Sequence, residues 1–235
     1  IQPNQEITGL EAGYRYESNN MRILVDLYST RWGNRAFDYF EEAPNGEEQD
    51  YNFRGIDQLH QGIEFQMAFK AGSSTNINLM GSIGDWIYEG EASYSLTTET
   101  SSGGISTTSG NLTLSEVKVD RAPQTTFGIS FDTKVSDDLS VDMRYNYFAD
   151  QYGFIDIDNV FEASISNTQY EGEKLDNYGL MDIGVTYDFD AGSNDVRLRL
   201  NVYNLLDEVY YSTRQKYGYY YGPPRNFNLS LQYLF

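Results

Sequence analysis

The chain has 235 residues, 35 Asp and Glu against 16 Lys and Arg for a net charge of -19, and no cysteine. That balance excludes nucleic acid as a partner, because phosphate binding needs clustered Lys and Arg, and the missing thiols exclude a disulfide scaffold, a thiolate metal site and a thiol nucleophile. Aromatics are abundant, with 21 Tyr and 13 Phe, yet no run approaches the roughly 18 apolar residues of a membrane-spanning helix, so a membrane could be crossed only by strands.

Period-two alternation predicts nine strands. The first runs over about 7–17, with Leu10, Ala12, Tyr14 and Tyr16 on one face and Glu11, Gly13, Arg15 and Glu17 on the other. Asn19-Asn20 turns it into the second, Met21 to Trp32, with Ile23, Val25 and Leu27 outward. A long loop is expected over 33–56. The third strand, about 57–70, alternates Leu59, Ile63, Phe65, Met67 and Phe69 with His60, Gly62, Glu64, Gln66 and Lys70, and turns at 71–74. The fourth, 75–88, presents Ile77, Leu79 and Ile83 and opens into the longest expected loop, 89–122, rich in Ser, Thr and Gly.

The fifth strand sets Phe127, Ile129 and Phe131 against Thr126, Gly128, Ser130 and Asp132, with a turn at 136–138. The sixth shows Leu139, Val141, Met143, Tyr145 and Tyr147, and a loop over about 149–177 comes next. The seventh carries Met181, Ile183, Val185 and Tyr187, the eighth Val196, Leu198, Leu200 and Val202, with 188–195 between them. After a last loop, about 204–222, the ninth strand places Phe227, Leu229, Leu231, Tyr233 and Phe235 on one face and Asn228, Ser230 and Gln232 on the other.

Connections alternate short and long, the plan of bacterial outer-membrane barrels. Tyr16, Phe69, Phe131, Tyr187 and Phe235 each fall outward near an end on the short-turn side, as a girdle at the lipid headgroups requires. Arg15, Glu64, Lys70, Asp142, Arg144, Asp182, Arg197 and Arg199 all fall on the polar face. A Lys or Arg on the lipid face at mid-bilayer costs roughly 2 to 4 kcal/mol. The fold class expected is therefore all-β, an antiparallel transmembrane β-barrel segment of about nine strands; a soluble, aromatic-rich, carbohydrate-binding β-sandwich is the competing architecture. Nine is odd, whereas bacterial single-chain barrels close with an even number, so residues 1–235 are expected to be the carboxyl-terminal part of a larger barrel. The opening Ile1-Gln2-Pro3-Asn4 shows no signal peptide.

The end of the chain resembles the TonB-dependent receptor family of outer-membrane transporters. The likeness rests on Asn204-Leu205-Leu206-Asp207 followed by Tyr210, on Gly222-Pro223-Pro224-Arg225, and on the alternating strand ending in Phe235. Looser agreement lies in Glu11-Ala12-Gly13-Tyr14, in His60-Gln61-Gly62-Ile63-Glu64 and in Ala122-Pro123-Gln124-Thr125. The resemblance implies a 22-stranded barrel in the cell outer membrane of a Gram-negative bacterium, plugged by an amino-terminal domain that is not in these residues, and energised through a TonB-contacting segment. It implies nutrient uptake rather than bond chemistry, no cofactor, and as partners membrane lipid, the remaining strands and plug, TonB, the outer-membrane assembly machinery and a surface lipoprotein. A second reading is a structural barrel subunit or fragment in a larger outer-membrane complex.

Leu231, Tyr233 and Phe235 resemble the signal read by the assembly machinery, an exposed strand edge being a template for strand addition. Arg225 is expected to fix a loop rather than to touch substrate. Tyr211, Tyr217, Tyr219, Tyr220 and Tyr221 could stack on a ligand or on one another. Glu41, Glu42, Glu47, Glu48, Asp50, Asp150, Asp156 and Asp158 are expected to be solvated, and 156–159 lacks the glycine and distal Glu of a calcium loop. His60 is the only histidine. It is expected as a polar lumen residue, without the G-x-S-x-G elbow of a hydrolase.

Overall fold

The computed structural model describes residues 4–43, 45–192 and 194–234. Nine antiparallel strands form one wall: β1 (Glu6–Glu17), β2 (Met21–Glu42), β3 (Glu48–Ala71), β4 (Thr75–Glu89), then β7 (Pro123–Lys134), β8 (Leu139–Gln151), β9 (Tyr178–Ala191), β10 (Asn194–Tyr203) and β13 (Asn226–Leu234). These are the nine segments that alternation predicts. Between them lie β5 (Glu91–Glu99), β6 (Ile105–Thr113), helix α1 (Ile157–Ile165), β11 (Tyr211–Gln215) and β12 (Gly218–Tyr221). No described helix is long and apolar enough to cross a membrane.

Register makes the two faces continuous. Tyr16 pairs with Ile23, and the row runs on through Met67, Leu79, Ile129, Tyr145 and Met181, apolar at every strand. A polar row runs Lys70, Asn76, Asp132, Asp142, Gly184, Asn201, Asn228. Slipping one strand by one residue would exchange its faces, so each apolar row specifies the pairing. On the polar face, Arg199 reaches across β9 and donates from both terminal nitrogens to the Asp142 carboxylate, at 2.8 and 3.1 Å. The intervening position is Gly184, where an added Cβ would overlap both partners.

A sandwich would fold its apolar rows onto one another. Instead Leu10, Ile83, Phe227 and Leu229 all stand exposed on the outer face, as lipid-facing residues do. Tyr16, Phe69, Phe131 and Tyr187 stand near their turns, Phe69 and Phe131 on one row through Ile77; Phe235 lies outside the described residues.

The expected loops are where the structure departs from the sequence expectation. The segment 33–56 is no loop: β2 and β3 continue past their predicted ends as one long hairpin, with register shifts around Arg35. The stretch 89–122 holds the β5–β6 hairpin, β5 pairing with the outer half of β3. The third loop carries α1 and the last the β11–β12 hairpin. Together they form a folded cap whose core is Tyr51, Phe53, Ile56, Ala92, Leu112, Leu114 and Val160. Helix α1 is capped by Asp156, whose side chain accepts from Asn159 N, and it buries Val160 completely. The Phe161 ring meets Tyr94 edge-on at 4.6 Å.

Candidate functional site

The residues that carry the family likeness come together at the outer ends of β9, β10 and β13. Asn204 is buried and sits at φ 50°, in the left-handed region that Asn tolerates better than most side chains. Its backbone N donates to Asp182 at 2.9 Å, its Nδ2 donates to the carbonyls of Glu208 (2.9 Å) and Pro223 (3.2 Å), and its Oδ1 accepts from Glu208 N at 2.9 Å. Leu205 N donates to Met181 O. Asp207, itself at φ 57°, accepts from Arg225 N at 3.0 Å, and the Arg225 guanidinium returns to the Leu205 carbonyl at 3.4 Å and the Asp207 carboxylate at 3.5 Å. Tyr210 stacks on Tyr178 at 4.2 Å. At Gly222, whose N donates to Tyr210 O, a Cβ would overlap the Tyr210 ring. The motif is thus a clasp holding both ends of the last outer segment, with Pro224 contributing its carbonyl to Asn226.

Within that segment the tyrosines divide. Tyr211 packs against Tyr219 and Tyr221 at 4.7 and 4.9 Å. Tyr219 donates to Glu173. Tyr217, Tyr219, Tyr220 and Tyr221 are all exposed, Tyr217 to 86%, and only Tyr211 of the five is half-buried. Two cations anchor the hairpin to the rest of the cap. Arg214 pairs with Glu173 at 2.7 Å and donates to the Phe154 carbonyl at 3.2 Å. Lys216 pairs with Glu41 and lies 5.0 Å over the Tyr39 ring. Burial, with smaller contributions from Tyr217 and Glu41, pushes the Tyr39 phenol up to about 12 against the opposing hydrogen bond from Lys216. Burial works against the charged form of Lys216, but its bonds to Glu41 and Tyr39 outweigh that and raise it.

Three acids expected to be solvated are therefore engaged. Glu41 holds Lys216. Asp150 accepts from Lys174 at 2.6 Å and from Thr125 at 2.7 Å. Asp156 caps α1. Glu41 and Asp150 find their cations at distances in sequence that local pattern does not reveal. Glu42, Glu48, Asp50 and Asp158 are exposed as expected, and among the described residues no three His, Asp or Glu are placed to hold a metal.

Where β2 and β3 leave the wall, a cavity of about 300 Å³ opens between that hairpin, the 114–121 strap and the start of α1. Gln58, His60 and Tyr88 line it, with Arg35, Arg121, Asp120 and an apolar wall that includes Phe53, Leu114 and Phe154. His60 stacks nearly parallel on Trp86 at 5.2 Å, and Trp86 Nε1 donates to Tyr28 Oη at 2.8 Å. Gln124, from the weaker part of the family likeness, bonds both backbone groups of Trp86 at 2.9 Å. Alternation alone puts Arg35 and Arg121 in loops and gives them no role. The one local signal is a neighbour against which each folds: Trp32 three residues before Arg35, and Asp120 directly before Arg121.

A strand wall that is apolar outside and polar inside, with tight turns at one end and a folded cap at the other, defines an outer-membrane β-barrel protein. The chain belongs to the TonB-dependent receptor β-barrel family: the family described as TonB dependent receptor-like, beta-barrel, matches residues 2–205. Its place is accordingly the outer membrane of a Gram-negative bacterium, in a family of receptors rather than enzymes. The match ends at Leu205, so Asp207, Tyr210, Gly222, Pro224, Arg225 and the last strand lie beyond it.

No curated protein matches the chain. Similar solved structures include the ferric-catecholate import receptor Fiu of E. coli K12 (13% identity over 98% of this chain and 44% of that one, TM-score 0.42). Others are BauA, the ferric preacinetobactin receptor of Acinetobacter baumannii (14%, 98% and 43%, TM-score 0.42), and the toluene transporter TodX of P. putida (12%, 97% and 69%, TM-score 0.43). The chain spans less than half the length of the first two.

Proposed function

We propose that this chain is the carboxyl-terminal nine strands and outer cap of a 22-stranded TonB-dependent importer, and that the cap takes part in capturing a nutrient at the cell surface. In this reading upstream residues supply the other strands, the plug and the TonB-contacting segment. Leu231, Tyr233 and Phe235 serve the assembly machinery, and the exposed Tyr217, Tyr219, Tyr220 and Tyr221 are the tyrosines available to substrate. The observation that carries the reading is the open wall. Among the described residues β1 pairs only with β2 and β13 only with β10, and unpaired backbone groups in a bilayer cost several kcal/mol each, which supports a barrel completed by further strands.

The test is made on the mature polypeptide in its own cells. Its mass is expected to be several times the 26.9 kDa of this chain, and cells lacking TonB are expected to bind labelled nutrient at the surface without accumulating it. A mature polypeptide of 26.9 kDa, or accumulation indifferent to TonB, would sink the importer reading.

A further inference from the structure

The cavity at the base of the cap has a chemistry of its own. In this acid-rich chain most arginines in and beside the cap are neutralised: Arg31 by Asp57 and Glu89, Arg54 by Asp38, Arg121 by Asp120, Arg214 by Glu173. Arg35 is the exception. Among the described residues no carboxylate pairs with it; its guanidinium donates to the amide oxygen of Gln58 and lies 5.6 Å over the Trp32 ring. The register shifts on either side of Arg35 mark a bulge, and bulges re-aim side chains; here the residue lines the cavity. A half-buried guanidinium beside apolar walls calls for a counter-charge.

A second group in the same cavity is unsatisfied. His60 Nε2 is buried without a hydrogen-bond partner among the described residues, although buried polar atoms are ordinarily paired. Much of the remaining wall is apolar, with Phe53, Ile56, Leu114, Val119 and Phe154 lining it beside Gln58, Tyr88, Asp120 and Arg121. Arg121 does not offer a second anion site, since Asp120 holds it at 3.0 Å and it lies 4.9 Å over the Phe154 ring. The Asp120 carboxylate, also on the cavity wall, would repel a second negative group. The volume is at the lower end for small-molecule pockets, too small for a bulky chelate or a glycan.

We propose that this cavity binds a small monocarboxylate with an apolar or aromatic body, its head held by Arg35 and His60 and its body against the wall of Phe53, Ile56, Leu114 and Phe154. A planar guanidinium fork matches a carboxylate in two parallel bonds, and His60 Nε2 supplies a further donor. Binding itself is independent of the importer reading; only the fate of the ligand as cargo rests on it.

The test is calorimetric titration of the intact receptor in lipid nanodiscs with 1-naphthoate, with its neutral counterpart 1-naphthamide, and with acetate. Naphthoate is expected to bind about tenfold tighter than naphthamide, the scale of one charge-assisted hydrogen-bonded contact, and acetate to bind too weakly to displace it. Arg35→Gln should abolish the preference for the acid. Arg35→Lys should keep part of it, and Arg54→Gln, outside the cavity, should leave it whole. Equal binding of acid and amide by the native receptor, or a preference that survives in Arg35→Gln, overturns the proposal; should Arg35→Gln not fold, the native ratio and Arg35→Lys decide. Naphthoate bound in nanodiscs but never accumulated through TonB counts against importing this ligand and leaves the site standing. TonB-driven uptake of another nutrient with no naphthoate binding does the reverse.

Discussion

Asn204 shows how one residue closes a motif. Its side chain satisfies the Glu208 N–H and the Glu208 and Pro223 carbonyls at once, in a buried position whose positive φ already favours Asn. Asn204→Ala removes three hydrogen bonds and leaves the Glu208 N–H without its acceptor, a loss of about 2 to 3 kcal/mol at roughly 1 kcal/mol each. The expected outcome is a lower unfolding midpoint in detergent together with earlier proteolysis of 204–222, and an unchanged midpoint would show that the clasp is redundant. Before any coordinates, Asn204, Asp207, Gly222 and Arg225 could be recognised as a pattern. Why the spacing matters could not, because Asp207 and Arg225 meet only once the segment between them has looped back.

Two elements 175 residues apart are joined by Lys216 and Glu41, with Tyr39 beneath. Tyr39 and Lys216 both bind their protons more tightly in the folded protein than free. Stability from both is therefore full below the unfolded values of about 10 and is lost as pH rises through the folded ones. The joint between the β11–β12 hairpin and β2 is expected to hold from neutrality to about pH 10 and to loosen above it. Hydrogen exchange at 211–221 as a function of pH would report this, and Lys216→Met should show fast exchange already at neutral pH. Exchange in Lys216→Met as slow as in the native protein would assign the anchoring to Arg214 and to the bonds from Tyr219 to Glu173 and from Gln151 to Ser212 O. Alternation in Phe37 and Tyr39, and in Tyr51 and Phe53, is present in the sequence. Flanking acids disguise it as a loop, yet these residues face each other across the β2–β3 hairpin.

At the scale of the molecule the wall has two solvents. Leu200 lies on an apolar row between Val185 and Leu229, and its neighbour Asn201 on the polar row between Gly184 and Asn228. Leu200→Arg is expected to cost about 2 to 4 kcal/mol if the position sits near mid-bilayer. Asn201→Arg should cost far less, because it points into the hydrated interior. Folding yield into lipid vesicles compares the two directly. Equal yields would mean that the Leu200 row does not meet hydrocarbon.

The sequence by itself determined the nine wall strands, their turns and which side of each is apolar. Those properties derive from period two, which is local, and from a bilayer that tolerates no charge on one face. The cap was decided by tertiary structure. Val160, Leu112 and Tyr51 share a core although they come from three separate outer segments, and the clasp, the Lys216 anchor and the Arg35 cavity each join residues far apart in the chain. Short segments rich in Ser, Thr and acidic residues carry too little apolar periodicity to declare themselves, and they become strands and helix only where distant partners cover them.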